Sequence, residues 1–145
     1  MDATDLLLVA TRWLHGVAAV VWIGAVLFEL YALRPALADE LPASAEQALD
    51  AVTSEIIQTS LVVFLITGAI LTFERLSHGA AEALYVWLLA LKVLLAVAMY
   101  QVALRFRRAK GDRRIVGLRW VAGLGLVILF LAALLKSLYE RALVT

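Results

Sequence analysis

Five ionisable residues lie inside long apolar runs of the sequence, where a charge is costly and usually marks a functional group or a buried pair. They are Arg12, His15, Glu29, Lys92 and Arg119. His15 is the best suited to chemistry, because a neutral imidazole binds transition metals and haem iron. The chain has no cysteine, two histidines and two methionines, so good ligands for a transition metal are few.

The first apolar run carries its polar residues on one helical face, because they are separated by three, seven and seven residues: Arg12, His15, Trp22 and Glu29. At a rise of about 1.5 Å per residue, Lys92 reaches a similar depth on an antiparallel third helix. We therefore predict that His15 and Lys92 share a layer, with Arg12 as a further cofactor-binding neighbour and Trp22 as a packing or cofactor neighbour. A haem propionate or a substrate carboxylate bound there would pair with the Lys92 cation and interact with His15.

Plainer interpretations of His15 and Lys92 remain open at this point. The histidine can instead be a packing residue, hydrogen-bonded to a threonine or a backbone carbonyl. The lysine can instead be the counter-ion of Glu29 or Glu55, although both of these lie about two turns nearer the other end of the bundle.

The remaining polar candidates are assigned smaller roles. Glu29 and Arg119 are predicted to form a structural ion pair in the inner part of the first and fourth helices. Met99 is a second candidate metal ligand beside His15, because a thioether suits soft metals. His78, four residues after Glu74, is expected to cap a helix, with weak metal binding as the alternative.

Composition indicates the elements that must position these residues. Of 145 residues, 64% are hydrophobic, well above the soluble average of about 45–50%. Four apolar runs, at about residues 6–33, 56–73, 83–104 and 115–135, are each near the length that crosses a bilayer. The sequence predicts a single all-α domain, an integral membrane four-helix bundle that runs up, down, up and down.

Local signals set the expected bounds of these helices. Arg34-Pro35 is predicted to end the first helix near residue 33, because proline disfavours helix in the residue before it. The segment from Pro42 to Asp50 is predicted as a short amphipathic lead-in before the second span. Three small residues of the fourth run are expected to let helices approach closely: Gly117, Gly123 and Gly125.

Orientation follows from a basic stretch between the third and fourth runs. Residues 105–114 contain six lysines and arginines, and cytoplasmic loops retain such residues. We expect this loop in the cytoplasm, both termini outside, and the chain in a bacterial inner (plasma) membrane. The acidic start of the chain does not resemble a cleaved signal peptide. The expected partners are lipid and a second copy or a larger membrane complex; no nucleic acid is expected.

Four short motifs occur in a familiar order: Leu14-His15, Trp22-Ile-Gly24, Thr67-Gly68 and Leu91-Lys92. In this order the chain resembles the membrane domain of the copper-resistance protein D (CopD-like) family over nearly its whole length. The resemblance implies copper uptake or resistance, and the wider group of such four-helix units implies b-type haem.

A more distant likeness is to the HemJ-type protoporphyrinogen oxidases, which also have a histidine in the first helix and a lysine in the third. The sequence has Leu33-Arg34-Pro35 where that family has tyrosine-histidine, and Val121-Ala-Gly123 where it has asparagine-glutamate-proline. These departures count against porphyrinogen oxidation.

Three functions follow as hypotheses. The first is a CopD-like membrane protein that binds a transition metal or a b-type haem, with His15 as ligand, for copper handling or membrane electron transfer. The second is a porphyrinogen oxidase. The third is an accessory subunit of a larger membrane complex. No catalytic residue is assigned, and the chain is expected not to act as an enzyme on its own. A single imidazole and a nearby cation suit haem or one metal ion better than a copper conduit.

Overall fold

The computed structural model describes residues 2–37, 42–77 and 83–142, with the backbone alone at residue 37 and residues 139–142. Four helices cover nearly all of the described chain, and they are labelled here in order: α1 at Ala3–Phe28, α2 at Ala43–Ser77, α3 at Ala83–Phe106 and α4 at Gly111–Ala142. All four are long and apolar enough to cross a membrane. The predicted all-α four-helix bundle is confirmed.

The end of α1 differs from the prediction. The helix does not stop near residue 33 but continues through a π-helical turn at Glu29–Leu33 and a final α-helical turn at Arg34–Leu37. In a regular α-helix the ring of Pro35 would clash with the carbonyl one turn earlier. A π-turn shifts the hydrogen bonds to five-residue spacing, as the bond from the Arg34 amide to the Glu29 carbonyl illustrates. The wider turn accommodates the proline, and the helix gains one turn.

Two other boundaries also lie outside the predicted spans. α2 begins at Ala43, so the amphipathic lead-in is one continuous helix with the span itself. α4 begins at Gly111 rather than near residue 115. Gly111 has a φ of +55°, a backbone conformation that favours glycine, and it follows the short connection of residues 107–110. Part of the predicted basic loop is therefore helical.

The bundle consists of two closely packed helix pairs. α1 packs along α2 and α3 packs along α4, whereas contacts from α2 to α3 and from α1 to α4 are much sparser. Residues of all four helices still meet in one apolar core, which includes Trp22, Leu61, Met99 and Ile128. The sparse contacts between the two pairs leave room for grooves that reach into the bundle.

The outer surface of the bundle is apolar. Large hydrophobic side chains such as Phe28, Phe73, Trp87 and Phe130 are exposed. Soluble monomers rarely expose contiguous apolar patches above a few hundred Å². This surface is typical of a protein whose solvent is lipid.

Two of the three glycines expected at close helix contacts do lie at them. A Cβ atom at Gly125 would overlap the Trp22 ring, and one at Gly117 would overlap Phe106. Gly123 has nothing within 4 Å of its Cβ position, so that part of the prediction is wrong. Its side faces away from the core.

Gly125→Ala should destabilise the bundle by about 1–3 kcal/mol, because the new methyl group must displace a fully buried indole. Gly123→Ala is the matched control in the same helix, and it should leave stability unchanged or slightly raised. Thermal unfolding of both variants in the same detergent measures the difference. Equal melting temperatures for the two variants would contradict the packing of Trp22 on α4.

Candidate functional site

The ring of His15 is held between α1 and α2. It stacks on Phe64, with ring centroids 4.2 Å apart and an interplanar angle of 17°. Its Nδ1 lies 3.1 Å from the Phe64 carbonyl oxygen and 2.9 Å from Thr67 Oγ1. These contacts include a threonine and a backbone carbonyl, which are the partners expected of a packing histidine, and they fix the orientation of the ring.

The same contacts assign the hydrogen of the neutral ring to one nitrogen. A carbonyl oxygen only accepts, so the contact with Phe64 requires Nδ1 to donate. The Thr67 hydroxyl donates to the Val63 carbonyl at 2.7 Å, so it accepts from Nδ1 as well. With its hydrogen on Nδ1, the neutral ring carries its lone pair on Nε2. No hydrogen bond to His15 Nε2 is formed by any residue that the structure describes.

The Thr67-Gly68 pair has a structural reason at this site. Phe64, Thr67 and Gly68 are spaced by three and four residues, so they share the face of α2 that meets His15. A Cβ atom at Gly68 would lie 3.2 Å from His15 Cε1, which is tighter than most such contacts. The glycine therefore lets the ring edge approach the backbone of α2 while Thr67 holds its Nδ1.

A groove between α2 and α3, called here the lateral groove, has His15 and Lys92 in its wall. Its volume is about 330 Å³. The other walls are mainly apolar and include Phe64, Leu65, Phe73, Leu89, Val93 and Val97. Lys92 is half-buried and forms no ion pair within the described part of the chain. His15 and Lys92 thus share a layer, as predicted, and Glu29 or Glu55 is not the counter-ion of this lysine.

A second groove, the end groove, opens toward the N-terminal end of α1 and has a volume of about 520 Å³. It shares His15, Gly68 and Lys92 with the lateral groove, and Arg12 lies in its wall. Arg12 is half exposed and its Nη2 is 3.1 Å from Glu74 Oε1. Arg12 therefore lies at the mouth of the site that contains His15 and Lys92, where a cation had been predicted.

Two predicted neighbours of the cofactor do not reach these grooves. Trp22 and Met99 are fully buried in the apolar core, and neither lines the lateral or the end groove. Trp22 instead meets Phe64 edge to face, at 6.2 Å between ring centroids, on the core side of the ring that His15 stacks against. Its Nε1 has no hydrogen-bond partner among the described residues.

The ligand set around His15 is small. Within the described residues, no group of three or more histidine, cysteine, aspartate or glutamate side chains is placed to hold a metal ion. His78, the other histidine, lies outside the described residues, so its predicted cap and its metal binding with Glu74 stay predictions. Glu74 is paired with Arg12.

Glu29 does not pair with Arg119, so that prediction is wrong. Its fully buried carboxylate receives two hydrogen bonds from Arg114, one of 2.6 Å from Nε to Oε1 and one of 2.8 Å from Nη2 to Oε2. Arg119 is exposed. Because α4 begins at Gly111, Arg114 lies inside the helix at the level of Glu29, although the sequence placed it in the basic loop.

The guanidinium of Arg114 is nearly buried and its other hydrogens are also used. Nη1 donates to Ser54 Oγ at 2.7 Å and Nη2 donates to Thr53 Oγ1 at 2.9 Å. Ser54 in turn contacts the Arg107 carbonyl at 3.4 Å. A buried charge is tolerable when it is paired and hydrogen-bonded in this way. The cluster joins α1, α2 and α4 to the connection after α3.

A second arginine extends the cluster. Arg34, in the last turn of α1, donates from Nη2 to Asp50 Oδ1 at 2.6 Å and to Glu29 Oε1 at 3.3 Å, and from Nη1 to Glu46 Oε1 at 3.0 Å. This pairing needs both helix extensions, because Arg34 lies beyond the predicted end of α1 and Glu46 and Asp50 lie before the predicted start of the second span. The role of this end of the bundle is structural.

Two signals in the sequence would have found these residues. Gly111-Asp112 is a plausible helix start, which moves α4 down by one turn and brings Arg114 level with Glu29. Thr53 and Ser54 are hydroxyl residues next to the apolar part of α2, where side-chain oxygens accept from buried cations.

In comparisons of the chain with protein-family models, curated proteins and solved structures, no match is found.

Proposed function

We propose that the chain is a membrane protein that binds a b-type haem through His15, and that it serves membrane electron transfer of the kind expected for a CopD-like unit. One observation carries the proposal: His15 Nε2 and Lys92 have no partner among the described residues, and both line one mainly apolar groove. A histidine that ligates metal almost always donates its other ring N–H to a carbonyl, carboxylate or water. His15 donates its Nδ1–H to the Phe64 carbonyl and Thr67.

The residues of the site fit a haem. A b-type haem needs an axial imidazole, apolar walls and cations for its propionates. His15 supplies the first, and the lateral groove between α2 and α3 supplies the second. Lys92 in the wall supplies the third, and Arg12 lies at the mouth, where it is paired with Glu74. When bound, the haem would supply one-electron chemistry, and the chain's own residues would orient the ring of His15 and hold the propionates.

Copper is the alternative cofactor, and the ligand set favours it less. A copper ion takes several imidazole or sulfur ligands. In the described residues, His15 has no second imidazole beside it and Met99 lies in the core. Copper handling is therefore kept as an outcome of the test below, in which His15 would be the principal ligand.

The same proposal includes an orientation. Basic residues concentrate at one end of the bundle, in the connection of residues 107–110 and the helix ends beside it. By the positive-inside tendency this end would face the cytoplasm of a bacterial plasma membrane, with both termini outside. The end groove would then open toward the outer face.

An absorption spectrum with elemental analysis of the detergent-purified protein tests the proposal. We expect a Soret band and about one iron per chain, the stoichiometry of one axial histidine. Stoichiometric copper without a Soret band would mean that the site binds copper rather than haem. Neither haem nor metal, in protein from cells supplied with both, would contradict cofactor binding by this chain.

Thr67→Ala should weaken cofactor binding by about 10- to 100-fold, because the residue that orients a ligating histidine is lost while the ligand remains. Titration of the apoprotein with haemin measures the change. Ser60→Ala is a matched control on α2, because Ser60 Oγ donates to the Ile56 carbonyl and Ser60 lines neither groove. Equal affinities for the two variants would contradict the role of Thr67.

A further inference from the structure

A third groove lies at the opposite end of the bundle, between the last turns of α1 and the first turns of α4. Its volume is about 460 Å³, and it shares no residue with the two grooves that contain His15. Its lining combines two arginines, a tyrosine and apolar side chains: Leu30, Tyr31, Arg34, Pro35, Ile115 and Arg119. We call it the arginine groove. No carboxylate is among its lining residues.

Arg119 is the unusual residue of this groove. It lies eight residues after Gly111, roughly 12 Å along α4, and inside the apolar span Gly111–Leu138. Its side chain is exposed, and it makes no hydrogen bond or ion pair with any described residue. A guanidinium on the lipid-facing side of a span is costly unless it reaches the interface and meets an anion there.

Arg34, the second arginine of this groove, is not available to bind such an anion. Arg34 is already bonded to three carboxylates, those of Glu29, Glu46 and Asp50. Arg119 therefore supplies the uncompensated charge of the arginine groove. Tyr31, which is 76% exposed, adds a phenolic hydroxyl that can donate a hydrogen bond.

The remaining walls suit an acyl chain rather than a soluble ion. Leu30, Pro35 and Ile115 are apolar and continue into the exposed apolar surface of α1 and α4. The groove also lies at the end of the bundle that carries the basic connection of residues 107–110, and basic segments concentrate anionic lipids near them. The free charge of Arg119, the position at the basic end of the bundle and the apolar walls together favour a ligand with an anionic head and an apolar tail.

We propose that the arginine groove binds the headgroup phosphate of an anionic phospholipid, with Arg119 as its charge partner. Tyr31 donates to a phosphate or glycerol oxygen, and the first acyl carbons lie on the apolar walls. The site is independent of the His15 proposal, since it uses none of the same residues. It would tie α1 to α4, where the protein's own contacts are sparse.

Native mass spectrometry of the full chain, titrated in neutral detergent with phosphatidylglycerol or phosphatidylcholine, tests this site. We expect one phosphatidylglycerol to bind more tightly than the rest, and Arg119→Gln to weaken that event about fivefold, the effect of one cation near a lipid phosphate. Binding of phosphatidylcholine should be much weaker in the wild type and unaffected by the substitution.

Arg113→Gln is the matched control, because it removes the same charge from an exposed residue at the same end but outside the arginine groove. It should keep the tight site. Equal losses in the two variants would overturn the proposal in favour of general attraction by the basic end, and unchanged binding in Arg119→Gln would overturn it outright. Inorganic phosphate is titrated in place of lipid as a further comparison. If its binding depends on Arg119 to the same extent, the assignment to lipid is overturned. Unchanged thermal unfolding of both variants in lipid-free detergent verifies that they fold.

Discussion

His15→Ala should abolish stoichiometric cofactor binding. The expected loss of affinity exceeds the roughly 10- to 100-fold that follows when only the residue orienting a ligating histidine is removed, because here the ligand itself is gone. The measurement is cofactor content per chain after purification, followed by titration of the apoprotein. The fold should survive, since His15 is only half-buried and the apolar core does not include it.

His78→Ala is the control for this variant. It removes the only other histidine in the chain. It therefore shows whether cofactor binding requires His15 in particular or is lost when either histidine is removed. We expect its cofactor content to equal that of the wild type. Full cofactor content in His15→Ala, or loss in His78→Ala, would contradict the assignment of His15 as the ligand.

Arg114→Met should be the most destabilising single substitution at the other end of the bundle, by about 3–5 kcal/mol. It removes both hydrogen bonds to a fully buried carboxylate and leaves Glu29 with the longer 3.3 Å bond from Arg34. An ion pair broken on one side leaves an uncompensated buried charge, which accounts for the size of the effect. Chemical or thermal unfolding in a fixed detergent measures it.

The control for Arg114→Met is Arg119→Met, which removes the arginine that the sequence had assigned to Glu29. In detergent without anionic lipid, its effect should stay within about 0.5 kcal/mol, as for other exposed residues. The double variant Glu29→Leu/Arg114→Met should lose less stability than the sum of the two single variants, because neither charge is then left alone. A larger loss from Arg119→Met than from Arg114→Met would contradict the cluster.

The fold could be predicted from the sequence because a bilayer allows few alternatives. An apolar run of the right length must be helical to satisfy its backbone hydrogen bonds in lipid. The same argument could not place the helix ends, which lie outside the most apolar windows. Pro35 stops a regular α-helix but not one that has just passed through a π-turn, and the polar residues from Ala43 onward continue α2 because Glu46 and Asp50 have Arg34 to pair with.

The error at Glu29 follows from those helix ends. Two arginines near the start of α4, Arg114 and Arg119, could each have paired with Glu29, and the choice between them depends on where α4 begins. Hydropathy alone favours a start near residue 115, which makes Arg119 the inner arginine. The turn at Gly111 moves the start down, and Arg114 then reaches the core. The backbone turn at Gly111, rather than a difference in charge, determines which arginine pairs with Glu29.

At the His15 site, the residues were predictable and their arrangement was not. Helical spacing and antiparallel order were enough to place His15 and Lys92 in one layer. The free Nε2 depends on tertiary contacts from α2, namely the Phe64 carbonyl and Thr67, which no pattern in the first helix contains. Trp22 shares the face of His15 but lies two turns further along α1, in the closed part of the core, so a shared helical face did not bring it to the groove.

Ligation of the cofactor by His15 is tested most directly by pulsed electron paramagnetic resonance of the loaded His78→Ala protein, with isotopically labelled nitrogen in histidine alone. His15 is then the only source of labelled nitrogen. Ferric haem and cupric ion are both paramagnetic, so one experiment serves either cofactor. Ligation by His15 predicts strong hyperfine coupling to one directly bound histidine nitrogen, Nε2. A loaded, paramagnetic centre without coupling to labelled nitrogen would contradict it.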